Sequence, residues 1–142
     1  MFLFYASMGL TIISNAAYHV LQKVTPGGVN PMLSLAITYA LALLVCLALL
    51  PLFPLQTGLA TSIRQLSWTS YALALPIAGL EIGFLLAYRA GWNISLGALV
   101  SNVVVAMLLL PVGLLVFKER ISGTNAIGIV VCLVGLALIN RR

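Results

Sequence analysis

The chain has 142 residues, of which 63% are hydrophobic and only 6% are charged. So few charges do not cover the surface of a water-soluble domain, so the composition indicates an integral membrane protein. The net charge of +5 comes from basic residues that are scattered rather than clustered, which argues against a nucleic-acid partner. The lipid bilayer is therefore the first partner that the composition predicts.

Long apolar runs define the expected architecture. A hydrocarbon core of about 30 Å needs roughly 20 apolar residues as helix, and five runs of the sequence meet that need. The alternation typical of a membrane β-barrel is absent. We therefore predict an all-α, multi-pass bundle of five transmembrane helices forming one domain over residues 1–142. The predicted helices cover residues 2–22, 31–50, 69–90, 94–117 and 123–140.

The distribution of basic residues does not determine the orientation of the chain in the membrane. Five spans would place three of them on the N-terminal side and four on the other, namely Arg64, Lys118 and Arg120 against Lys23, Arg89, Arg141 and Arg142. The positive-inside rule requires an excess on one side. Two interpretations stay open: a topology fixed by the cell or a partner, and a dual topology in which copies insert both ways and form antiparallel dimers.

Glu81, in the stretch AGLEIGFLLAYRAGW, lies near the middle of the third predicted helix. An acidic residue at that depth costs about 3 kcal/mol on insertion scales, and it is tolerated if it is protonated, meets a partner or faces a wet cavity. A carboxyl that changes its protonation there can couple a proton to a cationic or polar solute. The alternative is a protonated glutamate that only bonds a neighbouring helix. Tyr88 follows seven residues later on the same face.

A polar stripe follows the first predicted helix at helical spacing. Its members are Ser7, Thr11, Ser14 and Tyr18, with Asn15 and Gln22 beside them. Such a stripe should face other helices or a water-filled pathway, because lipid offers it no hydrogen bonds. Hydrogen-bonded contact between helices is the alternative to a solute pathway. His19 lies off the centre of the stripe, so we expect an interfacial histidine rather than a proton relay.

The last two predicted helices differ in character. The fourth carries Asn102 in its interior. The fifth carries Gly128, Cys132 and Gly135 at helical spacing, and this set of small residues favours close approach of a helix or of a second copy. The sequence contains no nucleophile–base pair, no metal-ligand cluster and no phosphate-binding glycine loop. We therefore expect neither an enzyme nor a metal or cofactor.

The last third of the sequence, AYRAGWNISLGALVSNVVVAMLLLPVGLLVFKERISGTNAIGIVVCLVGLALIN, resembles an EamA-type five-helix unit of the drug/metabolite transporter superfamily. The positions that match the family pattern are Tyr88, Pro111, Glu119, Gly128 and Gly135. The opening segment SNAAYHVLQKVTPGGVNP is also similar. The chain departs from the family at Ile12-Ile13, where a tryptophan-glycine pair is usual, and at Thr38-Tyr39, where many members carry an arginine.

The resemblance implies a function. Most members of the family are built from two inverted five-helix halves, so a single half implies a homodimer in the cell inner membrane. Such a dimer would move a small organic solute by alternating access around a site near mid-membrane. The expected substrate and coupling residues are Glu81, Tyr88, Ser7, Thr11, Ser14, Asn15, Tyr18 and Asn102. A non-transporting membrane subunit and a component of a lipid-linked sugar translocase remain the alternatives.

Overall fold

A computed structural model of the protein describes residues 2–120 and 122–139. Every regular element in this part of the chain is helical, which confirms the all-α class. Arg141 and Arg142, which enter the predicted charge balance, lie outside the described residues. The α-helices are α1 (Phe2–Val24), α2 (Pro31–Leu49), α3 (Leu59–Arg64), α4 (Trp68–Ala72), α5 (Ala74–Arg89), α6 (Ile94–Leu115) and α7 (Gly123–Ile139).

The start of α2 is fixed by its local sequence. The Asn30 side chain accepts hydrogen bonds from the backbone N–H groups of Met32 and Leu33, at 2.9 and 3.2 Å. These are donors that the first turn of a helix leaves without intrahelical partners. Pro31 occupies the first helical position, where its missing N–H costs nothing. Asn30 therefore fixes the residue at which the preceding loop ends and α2 begins.

The third predicted helix, 69–90, is built from two segments, α4 and α5, with a break at Leu73. The reason is Pro76. It has no N–H to donate to the carbonyl of Ala72 four residues earlier, and its ring crowds that carbonyl. The Leu73 and Ile77 N–H groups still bond the carbonyls four residues before them, at 2.9 and 3.2 Å. The break is thus local, and the segment continues as one span.

Three helical segments are long and apolar enough to cross a membrane, namely Pro31–Leu52, Trp68–Arg89 and Ile94–Leu115, each of 22 residues. They indicate a helical membrane protein. The 23-residue α1 is not among them, because its polar stripe lowers its hydropathy. The last helix, α7, has 17 residues and is shorter than these three segments. The count of five spans therefore stays a prediction.

The end of α6 is closed by a left-handed residue. Lys118 has φ of +54°, and the Glu119 N–H bonds the carbonyl of Gly113 at 3.0 Å. This bond spans seven residues, and the left-handed position inside it is one that glycine adopts at no steric cost. It brings the Glu119 carboxylate against the backbone of Gly113, so that a β-carbon added at Gly113 would lie 2.6 Å from Glu119 Oε2.

The chain divides into two compact units, Met1–Gly91 and Trp92–Arg142. In the first unit α5 packs against both α1 and α2. The most buried side chains of this first unit are His19, Leu35, Leu85 and Tyr88. In the second unit α6 packs against α7.

Candidate functional site

The carboxyl of Glu81 lies between α5 and α1. Glu81 is half-buried, and one of its oxygens, Oε2, accepts a hydrogen bond from Nε2 of Gln22. The same Gln22 nitrogen donates to the hydroxyl of Tyr18 at 3.5 Å. Tyr18 and Gln22 stand one helical turn apart, so α1 presents them on one face. The carboxyl therefore has polar neighbours on the adjacent helix.

A buried aromatic cluster holds α1 against α5 next to this carboxyl. The Tyr88 hydroxyl and Nδ1 of His19 form a 2.8 Å hydrogen bond, and the two residues are only 4% and 5% exposed. Phe84 stacks on Tyr88 at 5.9 Å between ring centroids and meets His19 edge-on at 4.6 Å. The bond satisfies two polar groups that lack access to water.

The buried position of His19 was missed from the sequence, which predicted an interfacial histidine. The signal lay in the spacing of Tyr18, His19 and Gln22, at i, i+1 and i+4, which puts all three on the side of α1 that meets α5. Within one chain, the part of the predicted stripe that contacts α5 is its end at Tyr18 and Gln22.

The α2 helix contributes one further buried polar group to the first unit. The Tyr39 hydroxyl is buried and has no hydrogen-bond partner among the described residues. It belongs to α2, which packs against α5, the helix that carries Glu81. A buried hydroxyl without a partner costs about 1–3 kcal/mol. Such an orphan hydroxyl marks a place on α2 where a ligand could supply the missing hydrogen bond.

The structure brings together only some of the predicted site residues. Tyr18, Glu81 and Tyr88 lie in the contact between α1 and α5. The earlier members of the stripe, Ser7, Thr11, Ser14 and Asn15, are exposed in the single chain. Two of them bond their own helix: the Ser7 hydroxyl donates to the Phe4 carbonyl and the Thr11 hydroxyl to the Ser7 carbonyl, both at 3.0 Å.

At the C-terminal end of α5, the Arg89 side chain forms hydrogen bonds with the loop between α1 and α2. Its Nη2 donates to the carbonyls of Pro26 and Val29, at 3.1 and 2.9 Å. Lys23, at the end of α1, donates from Nζ to the Tyr88 carbonyl at 3.4 Å, and its ammonium lies 5.7 Å from the centroid of the Tyr88 ring. Two cations thus meet at one end of the α1–α5 contact.

The remaining predicted residues belong to the second unit. Asn102, Gly128 and Cys132 line a groove of about 510 Å³ between α6 and α7. Most of the other lining side chains are apolar, and Asn125 adds one amide. Gly135 is half-buried on α7 and does not line the groove. This groove fits a packing surface better than a solute site.

Within the part of the chain that the structure describes, no group of three or more His, Cys, Asp or Glu residues is placed to hold a metal ion. The fold and site define a helical membrane protein with a carboxyl held between two of its helices. No protein-family model, no curated protein and no solved structure matches the chain.

Proposed function

We propose that the chain is a five-span carrier of the drug/metabolite type in the inner membrane. It moves a small organic solute by alternating access, working as a homodimer. In this mechanism Glu81 takes up a proton and a cationic or polar solute in turn. The single observation that carries the proposal is the position of the Glu81 carboxyl, inside a helix contact and hydrogen-bonded to Gln22.

The chemistry of that contact suits exchange. Gln22 is a neutral donor, so its hydrogen bond orients the carboxyl without cancelling a negative charge. A buried ion pair with lysine or arginine would instead fix the charge state, because removing one partner leaves the other uncompensated. A carboxyl held by an amide is available to a proton and to a solute cation in competition. The orphan hydroxyl of Tyr39 supplies a second polar contact for the solute.

The homodimer is supported by what a single chain leaves uncovered. Ser14 and Asn15 are exposed on α1, and polar side chains in membrane helices are expected to face other helices. A second copy would cover them and would complete the two-half plan that the family resemblance implies. The near-even distribution of basic residues is compatible with an antiparallel pair.

Proton release on ligand binding tests the role of Glu81. Purified protein in unbuffered detergent is mixed with tetraphenylphosphonium, choline or spermidine, and the released protons are followed with a pH indicator. The native protein should release protons with at least one of these cations. The Glu81→Gln variant should release none, whereas Glu119→Gln, which removes the other carboxyl of the chain, should behave as the native protein does. Equal release from both variants, or none from the native protein, would refute the coupling.

Light scattering in detergent tests the dimer. We expect a mass of two chains. Gly128→Leu should weaken the association, because it fills the groove that the small residues leave open, while Val130→Leu on the opposite side of α7 should not. A monomer, or a chain that assembles only with a different protein, would favour the non-transporting subunit instead.

A further inference from the structure

A second polar site lies at one end of the α1–α5 contact, away from the middle of the span. It is a pocket of about 370 Å³ lined by Gln22, Lys23, Thr25, Gly27, Tyr88 and Arg89. Lys23 and Arg89 are cations, whereas the three polar side chains of the lining already form hydrogen bonds within the protein. The pocket therefore collects donors and positive charge in one place.

The fold holds these donors in position. The bond between Tyr88 and His19 fixes α5 against α1 one turn before Lys23. Arg89 fixes the loop that closes the pocket through its two bonds to backbone carbonyls. Those bonds engage one nitrogen of Arg89, Nη2, while a guanidinium has five N–H donors in all. Both cations are thus anchored before any ligand arrives, which lowers the cost of ordering them.

We infer that this pocket binds a phosphate group, carried by an anionic lipid headgroup or by a small phosphate solute. Lysine and arginine are the residues that recognise phosphate, through charge-assisted hydrogen bonds. Residues 1–91 contain three basic side chains and one acidic one, Glu81, which is bonded to Gln22. Two of these basic side chains and no acidic one line the pocket, so its charge is positive, as an anion site requires.

The position of the pocket fits this ligand. The apolar segment Trp68–Arg89 ends at Arg89, so the pocket lies at the end of a membrane-spanning stretch rather than at its centre. Lipid headgroup phosphates lie at the ends of membrane-spanning helices. Basic pockets between such helices are typical binding sites for them. Gln22 belongs both to this pocket and to the contact with Glu81, but the inference rests on the two cations and not on the proposed role of Glu81.

Binding to the full-length protein in detergent tests the site. Native mass spectrometry compares retention of phosphatidylglycerol with that of phosphatidylcholine, which carries no net charge. In parallel, thermal unfolding compares inorganic phosphate with chloride at equal ionic strength. The test variant is Lys23→Gln, which removes the charge but keeps a donor. The matched control is Arg64→Gln, which removes a charge from the exposed face of α3 outside the pocket.

We expect Lys23→Gln to weaken phosphate-group binding about tenfold, the loss of one charge-assisted hydrogen bond, and Arg64→Gln to leave it unchanged. A preference for phosphatidylglycerol alone would identify a lipid headgroup, and stabilisation by inorganic phosphate would identify a free phosphate solute. Equal losses in both variants, or no preference for either phosphate probe over its control, would overturn the inference. Glu81→Gln should retain binding, so this test fails or succeeds separately from the carrier mechanism.

Discussion

The two units of the chain hold their helices together in different ways. In the first, α1 and α5 meet through hydrogen bonds and stacked rings, with Tyr88 bonded to His19 and Glu81 bonded to Gln22. In the second, α6 and α7 leave an open groove lined by small and apolar side chains. Lipid tails are as apolar as leucine, so apolar surface alone does not choose a partner for a membrane helix.

The comparison shows which side chains determine how the helices pack in each unit. The Tyr88–His19 and Glu81–Gln22 bonds specify one arrangement of α1 and α5, because each of them joins a side chain of one helix to a side chain of the other. The groove of the second unit selects an occupant by shape alone, because its mostly apolar lining offers few hydrogen bonds. Under the proposed function, the first unit would bind the solute and the groove of the second would contribute to association, and substitutions should separate the two.

Leu85→Ala should have the largest effect, since Leu85 is 1% exposed in the core of the first unit. Truncating a buried leucine removes its contacts and leaves a cavity, which we expect to cost about 3 kcal/mol of unfolding free energy. Its neighbour Leu86 is 49% exposed, so Leu86→Ala should cost less than about 1 kcal/mol. Unfolding in mixed micelles with increasing denaturing detergent measures both. Equal losses would show that the first unit has no specific core.

Tyr88→Phe removes the hydroxyl that bonds the buried His19 and keeps the stacked ring. Leaving the imidazole nitrogen unpaired should cost about 1.5 kcal/mol, between the values typical of water-soluble cores and of membrane helices. The control is Tyr71→Phe, because Tyr71 is 63% exposed, and it should change stability by less than about 0.5 kcal/mol. Unfolding in the same mixed micelles measures the stability of both variants. If Tyr88→Phe matches Tyr71→Phe, polar bonding does not determine the α1–α5 contact.

The sequence was sufficient for the all-helical class, because apolar runs and missing alternation are properties of the chain alone. It also pointed to Glu81 and Tyr88 on one face of a helix. It did not reveal the partners of these residues. Gln22 and His19 sit on a helix whose register against α5 depends on packing between segments far apart in the chain. The break at Leu73 could have been predicted from Pro76, which removes the donor for the Ala72 carbonyl, but the apolar run around it favoured one continuous helix.

In the second unit, a gain is expected from Lys118→Gly. Lys118 holds a left-handed backbone conformation, with φ of +54°, which costs a side-chain-bearing residue about 1 kcal/mol relative to glycine. The variant should gain about that much stability without affecting the α1–α5 contact. Arg120→Gly, which also removes a positive charge nearby, should bring no gain. A loss in Lys118→Gly would mean that the turn after α6 does not adopt the left-handed form.

The smallest effect is expected from Gly113→Ala, where the competing terms nearly cancel. Alanine in a helix gains roughly 0.5–1 kcal/mol over glycine, but its β-carbon would lie 2.6 Å from Glu119 Oε2. The carboxylate must rotate away, so we expect a net change within about 0.5 kcal/mol. Removing the obstacle with Glu119→Ala should expose the full gain, and a double-mutant cycle measures that coupling. The same gain in both backgrounds would show that Glu119 does not rest on Gly113.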